Sequence, residues 1–212
     1  MFTYNSLYLG LTHINIGAVK EELEKILSQR EKQYINEASR KPSAVLIPIY
    51  QKRADYYIVF IRRTETVKSH KGQISFPGGA RDANDRTLLH TAIRESREEI
   101  GLYMKDIEVI GELDDEITTT SNYIVTPFVA MIPWPYRFKK NEDEVAEIME
   151  VPLKVLLGKG CLKANTESLD GKPIDSYTYL YQGKVIWGAT ARILKKLLDI
   201  ISKITQGEEQ ID

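Results

Sequence analysis

Three glutamates set three and four residues apart, just downstream of a paired-glycine bend, constrain this chain more than any other stretch. Glu95, Glu98 and Glu99 lie in Arg94-Glu95-Ser96-Arg97-Glu98-Glu99-Ile100-Gly101. Steps of three and four put side chains on one face of a helix. Thr87 to Ile100 reads as that helix, with Asp85 as its N-cap and Gly101 as its C-terminal stop. Leu88, Leu89, Ala92, Ile93 and Ile100 occupy a roughly opposite sector. The expectation is a helix that packs on a sheet by its apolar side and projects its carboxylates outward together. Like charges on adjacent turns repel, at on the order of 0.2–0.5 kcal/mol per pair. A divalent cation reverses that cost, and Mg²⁺ and Mn²⁺ favour carboxylate oxygen. The alternative reading is a solvated Glu/Arg face with i,i+4 pairs such as Arg94 to Glu98.

The residues before the helix bear on that choice. Phe76-Pro77-Gly78-Gly79 ends a short strand read over Gln73 to Phe76. Paired glycines permit positive φ and close backbone approach, which suits a loop beside a ligand. Elsewhere, Val19 to Leu27 has the spacing of an amphipathic helix. Ala44–Ile49 and Tyr56–Ile61 read as strands joined by a hairpin at Arg53-Ala54-Asp55. Further strands are expected over Ile107–Leu113 and Tyr123–Ile132, a loop over Lys139–Glu144, and a short helix over Val151–Leu157. A hairpin around Gln182-Gly183 and a closing helix over Thr190–Ile204 follow, with a frayed tail from Gly207 to Asp212. Many strand pairs are linked too tightly for crossover helices. A mixed sheet with helices on its faces therefore fits better than a doubly wound parallel sheet.

The 212 residues suit one domain with additions. Lys plus Arg number 29 and Asp plus Glu 30, so the net charge of -1 gives no general electrostatic reason to expect nucleic acid or an anionic membrane as partner. Cys161 is the single cysteine, which excludes an internal disulfide and argues against a cysteine-built zinc site. Neither a signal peptide nor an apolar run of ~18 residues is visible, so a cytoplasmic protein is the default expectation.

The run from Gly79 to Asp85, followed by Arg94 to Leu102, resembles the Nudix box, which is Gly, five residues, Glu, seven residues, then Arg-Glu-apolar-any-Glu-Glu-any-Gly-apolar. Asp85 stands where the first glutamate would be, eight residues rather than seven separate it from Arg94, and Ser96 takes an apolar position. These departures look like the coenzyme A pyrophosphatase branch, which has an Asp-rich, one-residue-longer loop. So do Val59-Phe60-Ile61-Arg62-Arg63-Thr64, Lys68 (in place of the usual Arg), Gly72 and the Phe-Pro-Gly-Gly run. His70-Lys71-Gly72-Gln73 and Ile186 to Arg192 are similar to the same branch. The likeness spans most of residues 44–200.

The resemblance implies an α/β fold, the Nudix α/β/α sandwich with a mixed β-sheet, as a domain over 41–206 preceded by a helical extension over 1–40. It implies hydrolysis of a nucleoside diphosphate derivative, and for the coenzyme A branch the products 4′-phosphopantetheine and adenosine 3′,5′-bisphosphate. Mg²⁺ or Mn²⁺ is the implied cofactor, with Glu95 and Glu99 as ligands and Glu98 completing the site or binding a second ion. Arg94 is read as a partner that orients a carboxylate. Gly78 and Gly79 are read as letting the loop carry backbone groups to the metal site. Glu98 and Glu144 are both candidates for the general base. Arg62, Arg63 and Lys68 are candidates to hold the pyrophosphate or a 3′-phosphate, although Arg62 and Arg63 should face opposite sides of a strand. Trp187 and the alternation Tyr177-Tyr179-Tyr181 read as sheet packing rather than base stacking. Of the histidines, His70 has a better functional claim than His13 or His90. A small-molecule nucleotide is the expected partner, and a homodimer is a family-level expectation. ADP-ribose or another nucleoside diphosphate derivative is the runner-up substrate. A non-catalytic nucleotide- or protein-binding module, or an assembly protein with an accidental acidic helix, are the readings of another class.

Overall fold

The computed structural model describes residues 16–66, 70–158, 160–169 and 172–208. Lys68 and His13 lie outside them. Helix α1 (Ile16–Gln29) leads into strands β1 (Lys41–Lys52) and β2 (Asp55–Arg63). These two pair antiparallel across a two-residue turn, Lys52 opposite Asp55, with Arg53 at φ 58°. β3 (Ile74–Ser75) and β4 (Gly78–Ala80) flank Phe76-Pro77, and α2 (Leu88–Ile100) follows. Next come β5 (Glu108–Glu112), β6 (Glu116–Ile117), β7 (Tyr123–Met131) and β8 (Val145–Pro152). The chain closes with α3 (Leu153–Leu157), the strands β9 (Leu162–Leu169), β10 (Lys172–Tyr181) and β11 (Lys184–Ile186), and α4 (Gly188–Glu208).

The main sheet is mixed and eight-stranded, in the order β3-β2-β1-β7-β5, with β4 on β1, β6 on β7 and β8 on β2. β1 and β7 run parallel. Alternation along β1 decides which helix covers which face. Ala44, Leu46 and Tyr50 join Phe128, Ala130 and the α2 residues Ala92 and Ile100 in one core layer. Ile47 and Ile49 join Val19, Leu23 and Leu27 of α1 and Leu194, Leu197 and Ile201 of α4 in the other. The sheet thus lies between α2 on one side and α1 with α4 on the other, the expected α/β/α sandwich. No helix among the described residues is long and apolar enough to cross a membrane.

Several elements differ from the sequence reading. β8 and β9 are strands where none was expected. In β8 the regular alternation is broken by a bulge, since Arg62 pairs with Glu147 but Arg63 with Val145. The strand forecast over Gln73 to Phe76 is only Ile74–Ser75. α4 starts at Gly188 and runs through Gly207 and Glu208, where a frayed tail was expected.

Candidate active site

Helix α2 starts at a Thr87 N-cap, whose Oγ1 accepts a hydrogen bond from the His90 amide at 3.1 Å. Asp85 is therefore not the cap. Its carboxylate is buried and accepts from Arg94 Nε (3.0 Å) and Nη2 (2.9 Å), Thr91 Oγ1 (2.9 Å) and the Asp82 amide (2.9 Å). The Arg94 hydrogen bonds hold this carboxyl well below the usual carboxylate range, and more than offset the burial that acts to raise it. The spacing alone favoured capping because a capping Asp and an anchoring Asp look the same in sequence. The other end of α2 is as expected, with Gly101 at φ 70°.

Arg94 links Asp85 to the glutamates. Its Nη1 lies 2.8 Å from Glu95 Oε1 and 3.0 Å from Glu98 Oε2, and its Nη2 donates to the Ala80 carbonyl at 3.2 Å. One planar guanidinium thereby ties the loop after β4 to two turns of α2. Glu98 is more than half exposed, while Glu95 is largely covered.

The expectation that all three carboxylates project outward is corrected by Glu99, which is 1% exposed. α2 buries Thr91, Ala92, Ser96, Glu99 and Ile100 together, so its inner face is broader than the apolar residues alone suggest. Ser96 takes a core position by donating to the Ala92 carbonyl at 2.7 Å. Glu99 Oε2 accepts from the Gly78 amide at 2.9 Å and Oε1 from Arg63 Nη1 at 3.1 Å. Burial nonetheless pushes the Glu99 carboxyl up to about 8, against the Gly78 amide and the Arg63 charge, with Glu95 and Glu144 adding repulsion. Burial also raises Glu95, despite Arg94.

The two glycines make this contact possible. A Cβ at Gly79 would come within 2.6–2.8 Å of the Glu95 carboxylate. At Gly78, with φ 153°, a Cβ would come within 2.3 Å of the Ala44 carbonyl oxygen and 2.6 Å of Val45 Cα.

Arg62 and Arg63 separate as strand geometry requires. Arg63 turns to Glu99 and places Nη2 4.0 Å from Glu144, at the start of β8. Arg62 turns the other way, with Nε 3.3 Å from Glu147, which also accepts from Lys184 Nζ at 2.8 Å. Arg62, Lys71, Lys184 and Trp187 line a groove of about 410 Å³. Trp187 is 41% exposed there, so the packing expectation fails for it while holding for the buried Tyr179. His70 Nδ1 lies 2.8 Å from Gln73 Oε1, and His90 lies 3.8 Å from Asp85. Sequence reasoning missed Glu147 and Lys184. Their only signal was charge on strands 37 positions apart, which becomes a pair only through the fold.

Among the described residues no three carboxylate, imidazole or thiolate groups stand in a shared ligand geometry. The positions of the arginines explain why: Arg94 holds Glu95 and Glu98, and Arg63 holds Glu99. The donor set still fits a hard divalent cation. It consists of carboxylate oxygens, two of them on groups whose charge is disfavoured by burial, beside a glycine whose missing Cβ leaves room for one of them.

Known proteins supply the context. The NUDIX domain model matches residues 40–175. The chain is 36% identical over 159 residues to a protein of Photorhabdus laumondii named uncharacterized Nudix hydrolase NudL, covering 75% of this chain and 84% of that one. It is 34% identical over 167 residues to the NudL protein of Yersinia pestis, covering 78% and 82%. Among solved structures, the MutT/nudix family protein from Enterococcus faecalis superposes with a TM-score of 0.54 at 15% identity, over 90% of this chain and 76% of that one, a likeness of fold alone. Because the domain match runs through both the glycine bend and the carboxylate helix, the chain belongs to the Nudix hydrolases, enzymes that cleave the pyrophosphate of nucleoside diphosphate derivatives and generally use divalent metal ions.

Proposed function

We propose that this chain hydrolyses the pyrophosphate bond of coenzyme A or its derivatives, giving 4′-phosphopantetheine and adenosine 3′,5′-bisphosphate. The observation that carries the hydrolytic part is the Glu95–Glu99 pair packed against Gly78 and Gly79. The choice of coenzyme A is supported by the upstream signature and by the groove lined by Arg62, Lys71, Lys184 and Trp187. An exposed indole beside Lys71, with Arg62 and Lys184 sharing Glu147, suits a nucleobase bearing an extra phosphate.

Glu95 and Glu99 would hold Mg²⁺ or Mn²⁺, with Glu98 completing the set. When bound, the cation neutralises phosphate oxygens and lowers the pKa of its water. Asp85 fixes Arg94, and Arg94 fixes the rotamers of Glu95 and Glu98. Gly78 donates its amide to Glu99 and sets that carboxylate's orientation. Glu144 suits the proton-accepting role better than Glu98, because Arg63 stands 4.0 Å from it, whereas Arg94 already holds Glu98 at 3.0 Å.

The test is a substrate panel of coenzyme A, acetyl-coenzyme A, dephospho-coenzyme A and ADP-ribose, each with Mg²⁺ and with Mn²⁺. Coenzyme A should turn over fastest, yielding the two products above. Faster turnover of ADP-ribose would move the assignment to the runner-up class. Turnover of none would favour a binding module.

A further inference from the structure

Among the described residues, Arg63 is the one cation in direct contact with Glu99, and it is poorly satisfied there. Its Nη1 reaches Glu99 Oε1 at 3.1 Å. Its Nη2 stands 4.0 Å from Glu144, beyond hydrogen-bond distance. Its Nε is buried without a partner among the described residues. The guanidinium is thus committed to one carboxylate and keeps donors to spare, at the wall of the candidate site. Each oxygen of Glu99 takes one hydrogen bond in return. One oxygen takes the Gly78 amide, and the other faces Arg63.

A divalent ion on that second oxygen would sit within a few ångströms of the guanidinium. Two cations at that range repel, and the more so where burial keeps solvent from screening them. That repulsion favours the departure of one of them. The Gly78 donor is backbone and fixed, whereas Arg63 is a long side chain at the end of β2, beside the bulge. A fork of N–H donors, once released, matches a diphosphate.

We infer that Arg63 is an exchange latch: it holds Glu99 until a divalent cation takes that carboxylate, and is then released to bind the substrate's diphosphate. Cation and diphosphate binding are thereby coupled through one side chain, and the coupling is reciprocal. This rests on the reading of Glu99 as a cation ligand.

The test measures binding by calorimetry on the full-length chain, without turnover. In the first arm inorganic pyrophosphate is titrated in the presence of a chelator. Glu99→Gln frees Arg63 without any metal, so it should bind pyrophosphate about tenfold more tightly than the wild type. Glu98→Gln makes the same carboxylate-to-amide change but leaves Arg63 held, with Arg94 still bound by Asp85 and Glu95, and should stay within about twofold of the wild type. Adding Arg63→Gln to Glu99→Gln should abolish the gain. Equal gains in Glu98→Gln and Glu99→Gln would mean simple charge relief and would overturn the latch, as would no gain in Glu99→Gln.

In the second arm Mn²⁺ is titrated alone. Arg63→Gln should bind it more tightly than the wild type, with Arg63→Lys close to the wild type. Arg63→Gln binding no more tightly, with an unchanged circular dichroism spectrum, counts against the latch. Undiminished Mn²⁺ binding by Glu99→Gln is a separate outcome, since it removes the ligand reading itself.

Discussion

Asp85 departs from the family pattern, yet it still does the work of an anchor. It is one carbon shorter than glutamate, with eight residues rather than seven between it and Arg94, and it still reaches Arg94 with two oxygens. The side chains and amides around it are Arg94, Thr91, the Asp82 amide and His90. Its folded-state pKa is depressed, so its contribution is present above the ordinary carboxylate value of 3.8 and is lost as pH falls through the lower folded value. The stability gap between wild type and Asp85→Asn, measured by urea denaturation, should therefore be wide at pH 7 and narrow steadily below pH 4. A gap that is flat with pH would contradict the ion pair. The same substitution loosens Arg94, and activity should fall about 10–100-fold, as is usual for groups that orient metal ligands. Gly79→Ala belongs at this scale too. Its methyl would displace the Glu95 carboxylate, the free end of a side chain, rather than backbone. Steady-state kinetics should show lost turnover, while the melting temperature changes little.

At the scale of the element, α2 shows what periodicity can and cannot reveal. The glutamate spacing, the Gly101 stop and the apolar side were all legible, because helical geometry repeats every 3.6 residues. The burial of Glu99 was not legible. A carboxylate enters a core only when specific donors meet it, and here those donors are an amide from one loop and a guanidinium from another strand. β8 escaped notice for a related reason: its bulge opposite Arg62 and Arg63 breaks the period of two on which strand reading depends. Ser96 tests how tightly α2 is seated. Among the described residues its hydroxyl bonds only within its own helix, to Ala92. Ser96→Ala should leave stability within about 0.5 kcal/mol. Ser96→Leu, which restores the apolar residue of the family pattern, should cost about 1–3 kcal/mol by overpacking a site already fully buried. Chemical denaturation of both variants decides this.

At the scale of the whole molecule, the first helix is part of the core. Val19, Leu23 and Leu27 pack in the same layer as α4, and a Cβ on Gly111 would come within 2.5 Å of Leu27. Residues 30–35 then cross to the end of the sheet, where Arg30 pairs with Asp114 and the Ile35 amide donates to Asp115. The sequence showed the amphipathic helix but not its seat, since an apolar stripe names no partner. Leu23→Ala should destabilise the chain by about 2–5 kcal/mol, as other buried leucines do, and should lower the midpoint of the global unfolding transition rather than produce a separate early one. A separate early transition would make α1 an independent appendage.

The central claim is that Glu99, buried against the glycine bend, binds the cation on which hydrolysis depends. It is tested most directly by the turnover number of Glu99→Gln on coenzyme A with saturating Mg²⁺ or Mn²⁺, alongside its circular dichroism spectrum. The account predicts a fall on the order of 10²–10³-fold with the spectrum unchanged, comparable to the loss of a principal transition-state contact. Turnover equal to the wild type in a folded variant would contradict it.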